Sequence, residues 1–343
     1  MNISEAITAL LDRRDLDREQ MSALMREVMQ GALTPAQIAG LVVALRAKGE
    51  SVDEVAGAAS VMRELATRVD CSGIEHLVDT CGTGGDARHT FNVSTCSALV
   101  AAAAGAHVAK HGGRSVSSRC GSADVLEALG VNLSLDAAAV GRSIREVGVG
   151  FMFAPNHHSA MKHAAPVRRE LGVRTVFNIL GPLTNPAGAP NQVLGVFRRE
   201  LAPLLARVLQ ALGSRHVMVV HGSDGLDEIT ISGDTDVAEL RDGRVTEYTI
   251  NPARFGLSVA PVESIRVEDI EQAQAMLTAV LAGQPGPARD IVAMNAGAAI
   301  YVAGVVDTLE AGVAAAQRAI DSGAARERLA RLAAFTAAAA AKP

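Results

Sequence analysis

The sequence predicts an α/β protein: a small helical domain plus a large domain with a mostly parallel central sheet flanked by helices. The first observation behind this is a series of helix starts in the N-terminal region. Thr34 and Ser51 each stand three residues before a Gln or Glu, which is the spacing of a capping box, and Asp17 begins a similar pattern. Short helices of this kind bury little on their own, so they are expected to pack together as one unit.

The second observation is an alternation of short apolar runs with helical segments from about His76 onward. The apolar runs are HLVDT, HVAKH, GFMF, QVLGVF and RHVMVVHG. This alternation is typical of a parallel sheet, in which ligands bind beyond the carboxyl ends of the strands. Gly82, Lys110, Pro155 and Gly222 are therefore expected around one cleft. Further on, VAEL and VTEYTI predict short strands, followed by three or four helices.

Between residues 166 and 190 a basic stretch closed by Gly-Pro and Asn-Pro turns interrupts the strand pattern. We expect this stretch to return to the helical unit. The predicted division is residues 1–72 with 166–188 as a helical domain, and residues 73–165 with 189–343 as the α/β domain. The apolar stripe of Ile38, Leu41 and Leu45 must pack on other helices or on a partner subunit, so dimerisation through the helical domain is plausible.

Composition excludes several classes of protein. A hydrophobic content of 49% excludes a disordered chain, and no apolar run reaches the roughly 18 residues of a membrane span. The N-terminus resembles an amphipathic helix and not a signal peptide, which predicts a cytoplasmic protein. A net charge of −5 argues against nucleic acid as a partner. Cys71, Cys81, Cys96 and Cys120 lack metal-ligand spacing and are assigned no chemistry.

The stretch from Asp79 to Thr95, DTCGTGGDARHTFNVST, has the pattern strand, glycine-rich turn, helix. Backbone N–H groups in such a turn and at the following helix start can bind phosphate. Side chains of Asn92 and Ser94 can complete that shell, and hydroxyl groups are also possible magnesium ligands. Asp86 would repel phosphate, so it is expected to accept hydrogen bonds from a sugar hydroxyl or from loop amides. The alternative is an ordinary glycine-rich turn before a capped helix.

A second anion-binding loop is predicted at KHGGRSVSSRCGSAD, which begins at Lys110. Lys110 and Arg114 can neutralise phosphate, and Ser122 opens a helix whose N-terminus is a further donor. A solvated surface loop is the alternative, but two such loops in consecutive βα units favour a shared anion site. The spacing fits neither a P-loop nor a dinucleotide fingerprint.

Asp227 and Glu228 stand side by side after the strand RHVMVVHG, in the turn GSDGLDE. Near a flexible turn both carboxylates can reach a hard cation, directly or through water. A solvated acidic turn is the alternative. Two phosphate loops in the same cleft make a magnesium site the better interpretation.

The block FAPNHHSAMKHAAPVRRELGVRTVFNILGPLTNPA contains several basic residues close to apolar groups. An arginine there can hold the carboxylate of an aromatic acid through its guanidinium fork. His157, His158 and His163 show no HExxH spacing, so a metal site is not supported.

Taken together, these motifs resemble those of the anthranilate phosphoribosyltransferase family over nearly the whole chain. The resemblance rests on DTCGTGGD, NVST, KHGGRSVSS with GSAD, FAPNHHSAMK, VRREL, FNILGPLTNPA and LDE, in the family's order. It implies transfer of phosphoribose from phosphoribosyl pyrophosphate to the amine of anthranilate in tryptophan synthesis. It also implies magnesium, expected as two ions, and a homodimer joined by the helical domains.

The resemblance, with the loops described above, gives three sets of site residues. The donor set is Gly82, Gly85, Asp86, Thr90, Asn92, Val93, Ser94, Thr95, Lys110, His111, Gly112, Gly113, Arg114, Ser115, Val116, Ser117, Ser118 and Ser122. The anthranilate set is Gly82, Gly113, His158, Arg168 and Pro182, and the magnesium set is Ser94, Asp227 and Glu228. No strong catalytic base is expected. Lys110 and Asp86 are expected to act electrostatically, and His158 to shape the acceptor path.

One position departs from the family pattern. The second loop of the family normally reads KHGN, and its asparagine helps to hold anthranilate, whereas this chain has Gly113. We therefore expect weaker acceptor binding. Two alternative functions remain at this stage: a pyrimidine nucleoside phosphorylase, which would not need the block around Arg168, and a non-catalytic nucleic-acid-binding relative, against which the LDE pair and the net charge argue.

Overall fold

A computed structural model describes residues 1–114 and 120–340. Its α-helices are α1 (Ile3–Leu11), α2 (Arg18–Gln30), α3 (Pro35–Lys48), α4 (Val52–Leu65), α5 (Val93–Ala103), α6 (Ser122–Ala128), α7 (Ala137–Val147), α8 (Ala154–His157), α9 (Ala165–Leu171), α10 (Phe177–Leu180), α11 (Leu201–Ala211), α12 (Ile270–Leu281), α13 (Pro287–Val302), α14 (Leu309–Asp321) and α15 (Ala324–Ala340). Its strands are β1 (Leu77–Gly82), β2 (His107–Gly112), β3 (Val149–Phe153), β4 (Asn191–Gly195), β5 (His216–Gly222), β6 (Thr235–Arg241) and β7 (Arg244–Ile250).

The helical unit begins where the capping signals predict. The side chains of Asp17, Thr34 and Ser51 each accept a hydrogen bond from the amide three residues on, and the reciprocal bond completes each capping box. Asn2 caps α1 in the same way, and α1 lies where the sequence predicts an amphipathic helix. These boxes satisfy backbone donors that a helix terminus otherwise leaves unpaired.

The sheet has seven strands in the order β3-β2-β1-β4-β5-β6-β7. The first five strands pair in parallel, and β6 and β7 add an antiparallel edge. This confirms the predicted mostly parallel sheet and its helical flanks. Because β1, β2, β4 and β5 are parallel neighbours, the loops that follow them share one edge of the sheet.

Hydrophobic cores lie on both faces of the sheet, since alternate strand residues join different clusters. Val193 and Met218 belong to the core built from α5, α12, α13 and α14. Their neighbours Leu194 and Val219 belong to the core that contains α1 to α4 and α11. Val167, Phe177 and Leu180 lie in this second core too, so the segment around α9 and α10 packs with the N-terminal helices.

Two further observations concern the described residues as a whole. None of their helices combines the length and the apolar character that crossing a bilayer requires. All four cysteines, Cys71, Cys81, Cys96 and Cys120, are buried free thiols. Burial raises the pKa of each of them, which keeps them protonated and chemically quiet.

Candidate active site

The acidic turn after β5 rests on the ends of two other strands. A side chain at Gly82, at the end of β1, or at Gly195, at the end of β4, would collide with Asp227. The Gly84 amide donates a hydrogen bond of 2.7 Å to the Asp227 carboxylate. Glycine is therefore required at both strand ends, because only an absent side chain lets the acidic turn approach this closely.

Glu228 connects this turn to the start of α5 and to the lysine of β2. Its Oε1 accepts a hydrogen bond of 3.2 Å from the Ser94 amide. The Lys110 ammonium donates to Ser94 Oγ at 3.2 Å and to the Thr80 carbonyl at 2.7 Å. Ser94 thus joins three separate elements into one cluster, because its backbone amide binds Glu228 and its hydroxyl binds Lys110.

The electrostatics of this cluster are those of a buried acidic site. Burial, followed by repulsion from Asp86, raises the pKa of Asp227 to about 7. Burial, followed by repulsion from Asp227, raises the pKa of Glu228 to about 8. Lys110, only 3% exposed, has its pKa lowered by burial despite attraction from Asp79. Carboxylates held this close in a low-dielectric site favour either a proton or a cation between them.

The donor atoms suit magnesium, although the side chains are not arranged as a closed metal cage. Among residues 1–114 and 120–340 no group of three or more His, Cys, Asp or Glu side chains has metal-binding geometry. Asp227 and Glu228 each use one oxygen for a backbone amide, which leaves lone pairs for a cation or its water shell. Hard oxygen ligands with several retained waters are what Mg²⁺ prefers.

Asp79 belongs to the same region and was missed by the sequence interpretation. Its carboxylate is buried and accepts 3.4 Å hydrogen bonds from the His111 amide and from Gln192 Nε2. Burial raises its pKa, while the bonds and the charge of Lys110 oppose that shift. The signal was available, because an acid inside the predicted strand HLVDT needs a buried partner.

The glycine-rich turn from Gly84 to Asp86 has left-handed backbone at two positions. Gly84 has φ +66° and Gly85 has φ +78°. The Asp86 carboxylate accepts a 3.1 Å hydrogen bond from the Arg88 amide, which is one of the two roles expected of it. Thr90, a little further on, forms an antiparallel bridge with Arg266.

The second loop is described up to Arg114 and again from Cys120. The predicted residues Ser115, Val116, Ser117 and Ser118 lie outside the described residues. On the α6 side, Thr95 Oγ1 donates to Ser122 Oγ at 3.0 Å, and Asn92 donates to the Cys120 carbonyl at 3.2 Å. The first turns of α5 and α6, both predicted to bind phosphate, are thereby joined.

The other predicted donor residues of this region make contacts that are separate from those of Lys110. Arg114 pairs with Asp124 at 2.9 Å and with Glu127 at 2.6 Å, so its charge is engaged by α6 in this structure. Val93 is buried in the core. Gly112 ends β2, and the Gly113 carbonyl accepts a 3.3 Å hydrogen bond from the Ala123 amide.

His158, a predicted acceptor residue, contacts His111, which belongs to the predicted donor set. The rings of His111 and His158 lie 5.1 Å apart, edge to face, and the Nε2 atom of neither has a partner among the described residues. Burial lowers the pKa of His111 to about 3 and that of His158 to about 4, so both rings are neutral at pH 7. Neutral imidazoles can donate or accept a hydrogen bond, and these two nitrogens are available for one.

Arg168 and Pro182 lie on the segment that packs with the N-terminal helices. The Arg168 guanidinium lies 5.5 Å from the ring centroid of Phe177, and burial lowers its pKa. Pro182 is buried, and its carbonyl accepts a 2.7 Å hydrogen bond from Gln192 Nε2. Arg174, on the same segment, contacts the glycine-rich turn at Gly85, and no local sequence pattern predicts this contact.

Two family descriptions match the chain. Residues 4–66 match the helical bundle domain, and residues 74–326 the a/b domain, of a glycosyl transferase family. The chain is 63% identical to the anthranilate phosphoribosyltransferase of Thiobacillus denitrificans, with 97% of each chain covered. It is 61% identical to that of Laribacter hongkongensis, again with 97% of each chain covered.

Solved structures give the same result. The crystal structure of the anthranilate phosphoribosyltransferase from Thermus thermophilus is 45% identical, covers 97% of this chain and 99% of its own, and superposes with a TM-score of 0.92. The enzyme of Saccharomyces cerevisiae in complex with PRPP and Mg is 26% identical, covers 98% of both chains and has a TM-score of 0.88.

Proposed function

The chain belongs to the anthranilate phosphoribosyltransferase family, and from this premise we propose which of its residues carry out the transfer. The reaction is that of a pentosyltransferase. It moves the 5-phosphoribosyl group of phosphoribosyl pyrophosphate (PRPP) to the amine of anthranilate and releases pyrophosphate, a step of tryptophan synthesis. The single observation that carries the residue proposals is the joined cluster of Ser94, Lys110, Asp227 and Glu228 at the edge of the sheet.

For the donor, we propose the glycine-rich turn and the start of α5 as the pyrophosphate site. The turn contacts the cluster through the Gly84 amide on Asp227, and Ser94 brings the first turn of α5 into it. The N-terminus of a helix is the positive end of its dipole and favours an anion. Lys110 lies at the centre with its charge already desolvated, so its attraction for phosphate is stronger than in water. Thr90, Asn92, His111, Gly112, Gly113, Arg114 and Ser122, with residues 115–118, complete the proposed donor set.

For the metal, we propose two magnesium ions held by Asp227, Glu228 and Ser94. Burial and repulsion from neighbouring carboxylates raise the pKa values of the two acids, and a divalent cation would offset that unbalanced negative charge. When bound, magnesium screens the pyrophosphate charge and stabilises it as a leaving group. Metal titration by calorimetry in the presence of pyrophosphate gives the number of ions.

For the acceptor, we propose that Arg168 holds the anthranilate carboxylate while His158 and Pro182 line its path, with Gly82 and Gly113 at the inner end. Arg168 is half-buried and stacked on Phe177, so its fork is fixed in direction and its pairing with a carboxylate gains from the low dielectric. The unpaired Nε2 atoms of His111 and His158 offer polar contacts without adding charge.

The chemistry needs little from a general base. The aromatic amine of anthranilate is already nucleophilic, and attack at C1 of the ribose from the face opposite the pyrophosphate inverts the configuration. The residues of this chain contribute by holding the two substrates in line and by placing Lys110 and the loop amides against the departing charge. Asp86 acts through the loop, since its carboxylate already holds the Arg88 amide. His158, neutral at pH 7, shapes the path.

The direct test follows anthranilate fluorescence in the pure protein with PRPP and Mg²⁺. Loss of fluorescence that requires all three components supports the proposal. Phosphorolysis of thymidine or uridine with no loss of anthranilate would contradict it and favour the phosphorylase alternative. The family relationship argues against both earlier alternatives, since the relatives described above share the transferase name over nearly their full lengths.

We propose further that the protein has a helical domain, residues 1–72 with 166–188, and an α/β domain, residues 73–165 with 189–343. We propose that two copies form a homodimer through their helical domains. Leu11 on α1 and Val43 on α3 support this, because these large apolar side chains are 66% and 44% exposed. Measurement of the molecular mass by light scattering, with Val43→Glu as a variant, tests the dimer.

Four buried free thiols fit a reducing compartment and support a cytoplasmic location, which cell fractionation checks.

A further inference from the structure

The glycine-rich turn is held from outside by an arginine of the acceptor segment. The guanidinium of Arg174 donates a hydrogen bond from Nη2 to the Gly85 carbonyl. Its centre lies 4.2 Å from the ring centroid of Phe197, which follows β4. Arg174 has no carboxylate at ion-pair distance among residues 1–114 and 120–340, so its described contacts are a carbonyl and an aromatic ring.

Phe197 is a fixed platform for this contact. Its amide donates a 3.2 Å hydrogen bond to Thr83 Oγ1, and the Thr83 amide donates a 2.9 Å bond to the Gly195 carbonyl. The backbone of Phe197 is therefore bonded to Thr83, two residues before the Gly85 carbonyl that Arg174 holds. Stacking on an aromatic face fixes the plane of a guanidinium and so the direction in which it donates.

The turn itself has few internal restraints. Gly84 and Gly85 have left-handed backbone, and so has Ala87. Apart from the Arg174 contact, the described hydrogen bonds to residues 84–88 are the one from the Gly84 amide to Asp227 and the one from the Arg88 amide to Asp86. Glycines lose more conformational freedom on ordering than other residues, so a turn with two of them gains most from an external support.

Arg174 comes from the segment that also carries the proposed acceptor arginine. Arg168 lies near the end of α9, Gly172 ends that helix with left-handed backbone, and the Thr175 amide is held by Asn178 at 2.9 Å. Arg174 is therefore anchored on both sides and reaches out of the helical core to the donor turn. The sequence places these residues 89 positions apart, which is why no local pattern reveals the contact.

We infer that Arg174, supported by Phe197, is a positioning residue for PRPP: it preorders the glycine-rich turn for the pyrophosphate and does not itself contact the donor. This inference rests on the proposed function, because it takes that turn as the pyrophosphate site. Ordering the turn before binding lowers the entropic cost of forming the complex. Loss of the Arg174 side chain therefore weakens PRPP binding and leaves the acceptor site intact.

The experiment measures steady-state kinetics of Arg174→Ala, Arg174→Lys and Phe197→Leu, with Arg169→Ala as matched control. Arg169 is an exposed arginine of α9 on the same segment. For Arg174→Ala we expect the KM for PRPP to rise roughly tenfold, with kcat and the KM for anthranilate within about twofold of wild type. Arg174→Lys keeps the charge without the planar stack and is expected to recover only part of the loss. Phe197→Leu, which removes the aromatic platform and keeps an apolar side chain, is expected to raise the KM for PRPP several-fold, and Arg169→Ala to change none of these constants.

Three results would overturn the inference. A wild-type KM for PRPP in Arg174→Ala removes the role altogether. An unchanged KM in Phe197→Leu together with a raised one in Arg174→Ala means that Arg174 contacts the donor directly. A fall in melting temperature with both KM values raised together means a general structural role. Calorimetric affinity for Mg²⁺ pyrophosphate, compared between wild type and Arg174→Ala, tests the inference even if the wild-type protein shows no transferase activity, so the two failures are distinguishable.

Discussion

The Ser94 amide donates a 3.2 Å hydrogen bond to the Glu228 carboxylate, which joins the first turn of α5 to the acidic turn after β5. One end of this bond belongs to the proposed pyrophosphate site and the other to the proposed magnesium site. PRPP with its magnesium would therefore bind to two elements that are already joined by a hydrogen bond in the folded chain. The acidic turn is held by a second amide as well, that of Gly84 on Asp227.

The first prediction concerns the amide variants of these acids. Asp227→Asn and Glu228→Gln keep an oxygen that can accept the amide bonds but remove the charge that attracts a cation. We expect a fall in kcat of about tenfold or more and a weaker dependence of the rate on Mg²⁺ concentration. The melting temperature in EDTA should rise in Asp227→Asn, because a buried charge that faces Asp86 is removed. An unchanged magnesium dependence would refute the metal assignment.

The second prediction concerns Gly113, where the family pattern has asparagine. Gly113 has no left-handed backbone, and a Cβ built there meets no described atom within 4 Å, so Gly113→Asn should fold normally. We expect the variant to bind anthranilate about five- to tenfold more tightly, the worth of one added hydrogen bond. The KM for anthranilate at saturating PRPP measures this, and the KM for PRPP serves as the control. Equal or weaker binding in the variant counts against an open polar contact at this position.

The parallel sheet and its helical flanks could be predicted because their signals are local. Capping boxes lie within four residues, and buried parallel strands are continuous apolar runs. The acidic pair Asp227 and Glu228 could be placed near the first loop because parallel strands present their carboxyl ends at one edge. For the same reason, Lys110 at the end of β2 could be predicted to lie near the acidic pair.

The ion pairs of Arg114 are local, because Asp124 and Glu127 lie on the next helix, but a basic residue in a glycine-rich loop also predicts a phosphate ligand. The other features depend on contacts between distant segments. The burial of Asp79 beneath Lys110 requires knowledge that β1 and β2 are neighbours. Arg174 on Gly85 could not be predicted, because nothing in either segment's composition requires the other.

A third prediction concerns the antiparallel edge of the sheet, where both tyrosines of the chain meet one acid. Tyr248 and Tyr301 each donate a 2.8 Å hydrogen bond to Glu239, and His216 Nε2 lies 2.8 Å from it. Burial pushes the pKa of Glu239 upward, but these hydrogen bonds outweigh burial and lower it. The folded state therefore favours the charged carboxylate. Its contribution to stability is present above the pKa of an unfolded glutamate and is lost as pH falls through the lower folded value.

We expect Tyr301→Phe to lower the free energy of unfolding by about 1–3 kcal/mol at pH 7, since a buried charge loses a donor. The loss should narrow as the pH falls below the pKa of an unfolded glutamate and through the lower pKa of Glu239 in the folded state. Urea unfolding at several pH values measures both effects. Transferase activity at low denaturant concentration should remain at the wild-type level, because this cluster lies on β6, β7, α13 and the first residue of β5, at the opposite end of β5 from the acidic turn. A loss of stability that does not change with pH would show that packing of the Tyr301 ring, and not its bond to Glu239, is responsible.

The last prediction concerns strain in the donor turn. Ala87 has φ +57°, a left-handed conformation in which a Cβ crowds the backbone. Such a residue costs roughly 1 kcal/mol relative to glycine. Ala87→Gly removes this cost, although the greater freedom of glycine in the unfolded chain offsets part of the gain. We expect a net stabilisation of about 0.5 kcal/mol, measured by urea unfolding. Ala330→Gly, at an exposed position in the interior of α15, is the matched control and should destabilise by about 0.5–1 kcal/mol, because its backbone is helical. Changes of opposite sign in the free energy of unfolding would place the strain in the backbone of the turn. Destabilisation by both variants would show that Ala87 adopts its left-handed backbone without strain.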